Sequence, residues 1–270
     1  MNFWKYLPPV VKNILILNVI LLLATIVFDG FNINLYSILG LHYWQSDKFN
    51  VLQLISYMFM HGGTNMHGQV DITAGLTHIF FNMFALVMFG SLLERTFGTR
   101  RFLLYYIVTG IGAGIVQQIF WTVDFGSFVS ALNGAINSGS VQDLWANHSA
   151  FIYKMIKPEF HNELPNLLNT PLLIDLKENF VDAHITVGAS GSVFGILLAF
   201  GWLFPQAELY MFFIPIPIKA RLAVTIYAVA ELFLGVANFS FDNIAHFAHL
   251  GGMLFGAILI WIWQRKRFKI

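Results

Sequence analysis

The chain has 270 residues, of which 57% are hydrophobic and 11% are charged, and its mean hydropathy is +0.67. Soluble domains carry about 25% charged residues, so this composition excludes an ordinary soluble domain and indicates a multi-pass membrane protein. The absence of cysteine excludes disulfides and cysteine chemistry, and the net charge of +1 gives no indication of nucleic-acid binding.

Apolar segments long enough, or nearly long enough, to cross a bilayer as helices recur along the chain, since a spanning helix needs about 20 residues. We predict six spans, near residues 11–29, 77–94, 102–121, 187–204, 221–240 and 244–263. No small-residue cleavage site follows the first span, so we expect a retained anchor rather than a signal peptide. The fold class predicted is an all-α membrane protein with a single domain over 1–270.

The connections between the predicted spans differ in length and composition. Two long outer loops are predicted, at 30–76 and 122–186, and the second contains amphipathic stretches that suit short interfacial helices. The inner connection that begins at Pro205 also contains Pro215 and Pro217. Because proline lacks an N–H and fixes φ, we expect this connection to lie along the inner interface rather than to span.

Basic residues indicate the orientation of the spans. If both termini are cytoplasmic, four of the 15 basic residues fall in the outer loops, namely Lys48, Lys154, Lys157 and Lys177. The others lie near inner ends of spans, namely Lys5, Lys12, Arg95, Arg100, Arg101, Lys219, Arg221, Arg265, Lys266, Arg267 and Lys269. An excess of lysine and arginine on one side marks the cytoplasmic side, so we predict that both termini are cytoplasmic.

Several polar side chains lie inside the predicted spans, where an unpaired polar group is costly. His78 and Asn82 are four residues apart on the second span and share one helical face. Ser190 begins the fourth span, and His246 and His249 lie on the sixth. The charge-derived topology places all of them at the outer ends of their spans. They are therefore candidates for one shared site.

Glycine pairs supply a way to bring the fourth and sixth spans together. Gly191 and Gly195 are four residues apart, as are Gly252 and Gly256, and this spacing of small residues lets helix backbones approach closely. With the pairs in contact, the height mismatch between Ser190 and a histidine three residues above Gly252 is about 3 Å, which side chains can bridge. A serine becomes a nucleophile when a base takes its proton.

Other interpretations remain open from the residues alone. Ser190 and its glycines are typical of helix packing, and His78 with Asn82 is typical of an interhelical hydrogen bond. Either His246 or His249 suits the base by position. A metal site is disfavoured because no HExxH spacing occurs, and Glu231, a carboxylate within the fifth span, has no role that the sequence predicts.

Taken together, the motifs "QLISYMFMHGG", "HIFFNMF", "GSLLERTFG", "GASGSVFG" and "AHLGGMLFG" resemble the rhomboid family of intramembrane serine proteases. The resemblance covers about residues 50–263 and keeps the family's motif order. It implies a six-helix core, cleavage of transmembrane substrates by a Ser–His dyad, and no cofactor. The long segments at 64–76 and 122–186 depart from the family's pattern on the outer face.

The resemblance also implies roles for individual residues. Ser190 is the expected nucleophile, and His249 is the expected base because glycines follow it at three and seven residues, which His246 lacks. His78 and Asn82 are expected to form the oxyanion hole with the backbone N–H of Ser190 and of Ala189. The expected supporting positions are Gly188, Gly191, Phe194, Gly195, Gly252 and Gly256. Glu94 and Arg95 match a structural element on the inner side.

We therefore predict a serine endopeptidase that cleaves transmembrane proteins near the outer leaflet of a bacterial-type plasma membrane. Its expected partners are such substrates and the lipid bilayer, without nucleic acid, metal or cofactor, and its oligomeric state is left open. No acidic third member is apparent in the sequence, so a dyad is expected. The alternatives are a non-catalytic binder of membrane proteins and, less consistent with the lack of an inverted repeat, a transporter.

Overall fold

The computed structural model describes residues 3–63, 70–156, 169–211, 214–237 and 244–265. Within them the helices are α1 (Pro9–Asp29), α2 (Leu35–Leu39), α3 (Gln53–Ser56), α4 (Ile72–Ala85), α5 (Ser91–Phe97), α6 (Thr99–Ser138), α7 (Gln142–Met155), α8 (Thr170–Ala183), α9 (Ser190–Leu203), α10 (Ala220–Ala237) and α11 (His246–Arg265). A π-helical turn, Leu86–Gly90, joins α4 to α5, and 3-10 turns form at Phe3–Lys5 and Tyr57–Phe59. The strands are β1 (Leu41–His42), β2 (Ile185–Thr186), β3 (Glu208–Met211) and β4 (Ile214–Lys219).

Five helical segments in the described part of the chain are long and apolar enough to cross a membrane. They are α1, the continuous segment Ile72–Phe97, α6, α10 and α11. The predicted fourth span forms α9, an apolar helix of 14 residues, which is shorter than the other five. Apolar side chains such as Leu23 on α1 and Phe233 on α10 are more than half exposed, as expected for surfaces that face lipid.

The long outer connection and the proline-containing inner connection both contain regular structure. Helix α6 does not end near 121 but continues to Ser138, so its last turns, α7 and α8 make most of the predicted outer loop 122–186 helical. The proline-containing inner connection contains an antiparallel hairpin, in which Glu208 pairs with Lys219 and Leu209 with Ile218. The prolines leave this segment without a helical ladder, but the chain still pairs with itself.

The chain forms two compact units. The smaller unit comprises His42–Phe49 and Gln118–Ile185. Its buried core brings apolar faces of the last turns of α6, α7 and α8 together through Phe128, Leu132, Leu144, Ile152 and Leu173. The buried apolar residues recur at helical spacing among polar residues. Burial of the apolar face of each helix therefore explains why this polar segment of the sequence is helical. A salt bridge between Lys48 and Asp182, with N and O 2.7 Å apart, ties the first segment of this unit to α8.

The larger unit comprises Met1–Leu41, Asn50–Gln117 and Thr186–Ile270 and contains all the candidate site residues. In it, α9 packs most extensively on α11, and α6 covers another side of α9. The Tyr105 hydroxyl of α6 donates a hydrogen bond to the Gly195 carbonyl at 2.8 Å. A methyl group on Gly195 would lie 2.7 Å from the Thr109 side chain, so glycine is needed where α6 and α9 meet.

Glu94 of α5 caps the first helix of this unit. Its two carboxylate oxygens accept hydrogen bonds from the backbone N–H groups of Val10 and Val11, at 3.0 and 2.9 Å. The first N–H groups of a helix have no partner within the helix, and an anion there is also favoured by the helix dipole. The Arg95 guanidinium donates to the Tyr6 carbonyl at 2.7 Å. The motif "GSLLERTFG" therefore has a structural role: its Glu94 and Arg95 hold the amino-terminal end of α1 in place as an anchor.

Replacement of Glu94 by glutamine tests this anchor. Because Glu94 is buried and its partners are both donors, we expect the free energy of unfolding to fall by about 1.5–3 kcal/mol, the scale of a hydrogen bond to a charged group. The measurement is the thermal midpoint in detergent. Glu178→Gln, at an exposed glutamate of α8, is the matched control. Equal midpoints for both variants would contradict the anchor.

Candidate active site

Ser190 is the first residue of α9, and the turn before it is held in place by the backbone. The N–H of Gly188 donates to the Tyr57 carbonyl at 2.9 Å, and Gly188 has a φ of +131°. Ala189 occupies the N-cap position with no side-chain capping bond. The Ser190 hydroxyl lies against His249, with Oγ 2.9 Å from Nε2.

Ser192 shows what the other serine of the motif does. Its hydroxyl donates to the Tyr106 carbonyl of α6 at 2.8 Å, and the residue is buried. One serine therefore joins two helices by a hydrogen bond to backbone, whereas Ser190 contacts an imidazole. Only the second arrangement offers a base for the hydroxyl proton.

His249 is held by an aromatic ring and by close packing of two backbones. The rings of Phe194 and His249 are stacked, with centroids 4.1 Å apart and planes 7° apart. A methyl group on Gly252 would collide with the Gly191 carbonyl oxygen. The backbones of α9 and α11 therefore approach closely, and the Ser190 and His249 side chains lie together.

His78 reaches the same place from α4. The Gly62 N–H donates to His78 Nδ1 at 3.3 Å, which leaves the ring proton on Nε2. A methyl group on Gly188 would lie 2.8 Å from that Nε2 and 3.5 Å from Ser190 Oγ. The Nε2–H of His78 is therefore a donor at the start of α9.

Asn82 is buried, but its side-chain amide is partly engaged within α4. It donates to the His78 carbonyl at 2.9 Å, so one of its two N–H donors is used for a bond within its own helix. The amide has a second N–H. The structure thus aligns His78 with Ser190 more directly than it aligns Asn82.

His61 is a neighbour that the sequence did not single out. Its ring meets that of His78 edge to face, with centroids 4.9 Å apart. Burial, with a smaller contribution from nearby His78, lowers the pKa of His61 to about 3. His61 is therefore neutral at neutral pH and adds no positive charge beside His78.

Glu231 corrects the expectation that no acidic group accompanies the serine and histidine. Its Oε2 lies 2.9 Å from His249 Nδ1 and 2.6 Å from His246 Nδ1. The two histidines lie on α11 and the carboxylate comes from α10. His246, the other candidate base, thus contacts Glu231, whereas Ser190 contacts His249.

A metal ion could bind atoms of Glu231, His246 and His249, since one atom from each lies within 4.8 Å of the others. The HExxH spacing concerns residues of one helix, whereas this set comes from α10 and α11. However, tetrahedral zinc at about 2.0–2.1 Å from each ligand separates its ligand atoms by about 3.3 Å. The observed 2.6 and 2.9 Å are the lengths of hydrogen bonds.

Comparison with known proteins identifies relatives of the chain. The family model described as "Rhomboid domain" matches residues 48–156 and 168–266. An uncharacterized mitochondrial rhomboid protein of Schizosaccharomyces pombe is 25% identical over 71% of this chain and 49% of its own length. Rhomboid protease AarA of Providencia stuartii is 26% identical, over 63% of this chain and 64% of its own.

A third relative, rhomboid protease GlpG of Haemophilus influenzae, is 25% identical over 49% of this chain and 64% of its own length. The chain thus spans less than two thirds of the length of each of these three relatives. No solved structure matches the chain significantly.

Replacement of Gly188 by alanine tests the turn before Ser190. A side chain at this positive φ is strained and would press on the His78 ring, so we expect unfolding free energy to fall by about 1–3 kcal/mol. Thermal unfolding in detergent measures it. Gly63→Ala, where an added methyl meets nothing within 4 Å, should leave the midpoint unchanged. A wild-type midpoint for Gly188→Ala would contradict the turn geometry.

Proposed function

Because the chain belongs to the rhomboid family, we propose that it is an intramembrane serine endopeptidase that cleaves transmembrane proteins. The observation that carries this proposal is the 2.9 Å contact between Ser190 Oγ and His249 Nε2. The relatives described as rhomboid proteases in Providencia stuartii and Haemophilus influenzae support it.

In the proposed reaction, His249 Nε2 accepts the hydroxyl proton as Ser190 Oγ attacks a peptide carbonyl of the substrate. The histidine then donates this proton to the leaving amine, and an acyl-enzyme remains. Water attacks the ester as His249 again takes a proton. The bond between the acyl carbon and Ser190 Oγ then breaks, His249 returns the proton to Oγ, and the second product leaves as a carboxylic acid. The proton transfers in these steps need only the serine, the histidine and water.

The developing oxyanion needs donors that are already in position. We assign this part to the Nε2–H of His78 and to the backbone N–H groups of Ser190 and Ala189, with Asn82 as a further donor. The bond from Gly62 to His78 Nδ1 supports this part because it keeps the proton on Nε2. The first N–H groups of α9 lack partners within the helix.

The membrane arrangement is also part of the proposal. We propose six membrane segments with both termini cytoplasmic, the fourth of them being the short helix α9, within one rhomboid-like domain over 1–270. A 14-residue helix is about 21 Å long, less than the hydrocarbon thickness of about 30 Å. Ser190 at its outer end would therefore lie below the outer surface, within reach of a substrate helix.

The identity of the membrane stays a prediction. A bacterial-type plasma membrane was expected, whereas relatives include mitochondrial rhomboid proteins of Schizosaccharomyces pombe and Saccharomyces cerevisiae. The chain is a multi-pass integral membrane protein. In either membrane, the substrates proposed are proteins with a transmembrane segment.

The test is cleavage of a transmembrane reporter with a destabilised helix by the purified full chain in liposomes. We expect kcat to fall by about 10³-fold or more in Ser190→Ala and in His249→Ala, the scale seen when a nucleophile or its base is removed. Ser192→Ala, in the same motif but bonded to the Tyr106 carbonyl, should keep most of its activity. Undiminished cleavage by Ser190→Ala would overturn the mechanism.

A fluorophosphonate probe separates an enzyme from a non-catalytic binder. We expect covalent labelling of the wild type, detected by mass spectrometry on the peptide that contains Ser190, and no labelling of Ser190→Ala. Reporter capture without cleavage and without labelling would favour the binder.

A further inference from the structure

We propose that Glu231 is a positioning residue for the proposed protease, and that it makes a Ser190–His249–Glu231 relay in which His246 fixes the carboxylate. This inference rests on the proposed function. It adds an acidic member that neither the motifs nor the relatives assign.

The count of donors and acceptors supports the relay. A carboxylate only accepts hydrogen bonds, so the contacts of Glu231 Oε2 at 2.9 and 2.6 Å put a proton on Nδ1 of both His249 and His246. A neutral imidazole with its proton on Nδ1 has its lone pair on Nε2. That lone pair of His249 lies 2.9 Å from Ser190 Oγ. Glu231 thus selects the tautomer in which the ring is able to receive the serine proton.

Charge supplies a second effect. When His249 takes the proton it becomes an imidazolium, and the carboxylate 2.9 Å from its Nδ1 stabilises that charge. The side chains of His249 and Glu231 are only 10% and 12% exposed. At this burial the attraction is stronger than in water. The stabilisation arises as the proton moves, so it favours the transition state.

His246 accounts for the position of Glu231. Its Nδ1 holds the same Oε2 at 2.6 Å, and its ring stands 84° from that of His249. One histidine comes from each of two successive turns of α11, so a single oxygen of α10 bridges both turns. The carboxylate is therefore fixed by a group other than the one it orients.

Among the residues that the structure describes, titratable groups of three helices face His249. They are Glu231 from α10, His246 from α11 and His78 from α4, which interacts electrostatically with His249. Ser190 completes the set from α9. Glu231 is the acid in this set, so its replacement by a neutral residue takes away the negative charge that the imidazolium meets.

Glu231→Gln removes the charge and keeps the shape. In the liposome assay we expect kcat to fall by about 10- to 10⁴-fold, the upper end being the effect of the corresponding change in a soluble serine protease, with KM changed less than about threefold. We also expect the acid limb of the kcat–pH profile to move to lower pH, because the imidazolium loses its stabilising charge. A residue that only supports folding would not move this limb.

Matched variants make the result decisive. Thr225→Ala removes an exposed polar side chain from the same helix, bonded only to the Arg221 carbonyl among the contacts described, and should keep wild-type kcat and pH profile. His246→Ala should lower kcat by less than Glu231→Gln. The variant that combines His246→Ala with Glu231→Gln should be no slower than Glu231→Gln alone. Both changes act through the same Glu231 carboxylate, so their effects should not add.

The outcomes separate this inference from the proposed function. Loss of activity in Ser190→Ala together with a wild-type kcat and pH profile in Glu231→Gln would overturn the relay and leave the protease intact. Undiminished activity in Ser190→Ala would instead overturn the protease itself. A chelator should leave wild-type activity unchanged. Activation by the chelator would overturn the relay in favour of an inhibitory metal held by the three side chains.

Discussion

The site depends on a contact between two backbones, that of Gly191 in α9 and that of Gly252 in α11. No side chain fits between them, since even a methyl group on Gly252 would occupy the place of the Gly191 carbonyl oxygen. In a bilayer the hydrophobic effect does not drive helices together, so close packing of small residues has to do so. This contact sets the separation of α9 and α11, and the separation sets the 2.9 Å between Ser190 and His249.

Several polar groups in this region have hydrogen-bond partners on neighbouring helices. Ser192 and Tyr105 donate to backbone carbonyls of neighbouring helices, and Glu231 accepts from two histidines. Unpaired polar groups within a membrane cost several kcal/mol. These hydrogen bonds also fix the directions of the side chains. The bonds that make polar groups tolerable inside the membrane therefore also order the site.

Much of the fold could be predicted because apolar runs determine where helices form. The ends of α10 and α11 lie within three residues of the predicted ends. The continuation of α6 to Ser138 was missed because its last turns are amphipathic rather than uniformly apolar. They are stabilised by packing on α7 and α8, and hydropathy alone does not report such packing.

Part of the candidate site could likewise be predicted from local sequence patterns, and part of it could not. The approach of the helices that carry Ser190 and His249 followed from glycine spacings within each helix, which are local and periodic. The choice of His249 over His246 came from the resemblance to the family. Glu231 was noticed as an acid in an apolar segment, but its direction depends on how α10 is rotated, and neither its neighbours nor its spacing encode that rotation. The roles of Ser190, His249, His78 and Asn82 stay predictions, now with distances attached.

The anchor at Glu94 has a consequence for biosynthesis. The N–H groups of Val10 and Val11 lie 84 and 83 residues before the carboxylate that they contact. During translation, α1 is therefore made well before its cap exists. Its amino-terminal end is left to water or lipid headgroups until α5 has been made. A helix made earlier is thus completed by one made later.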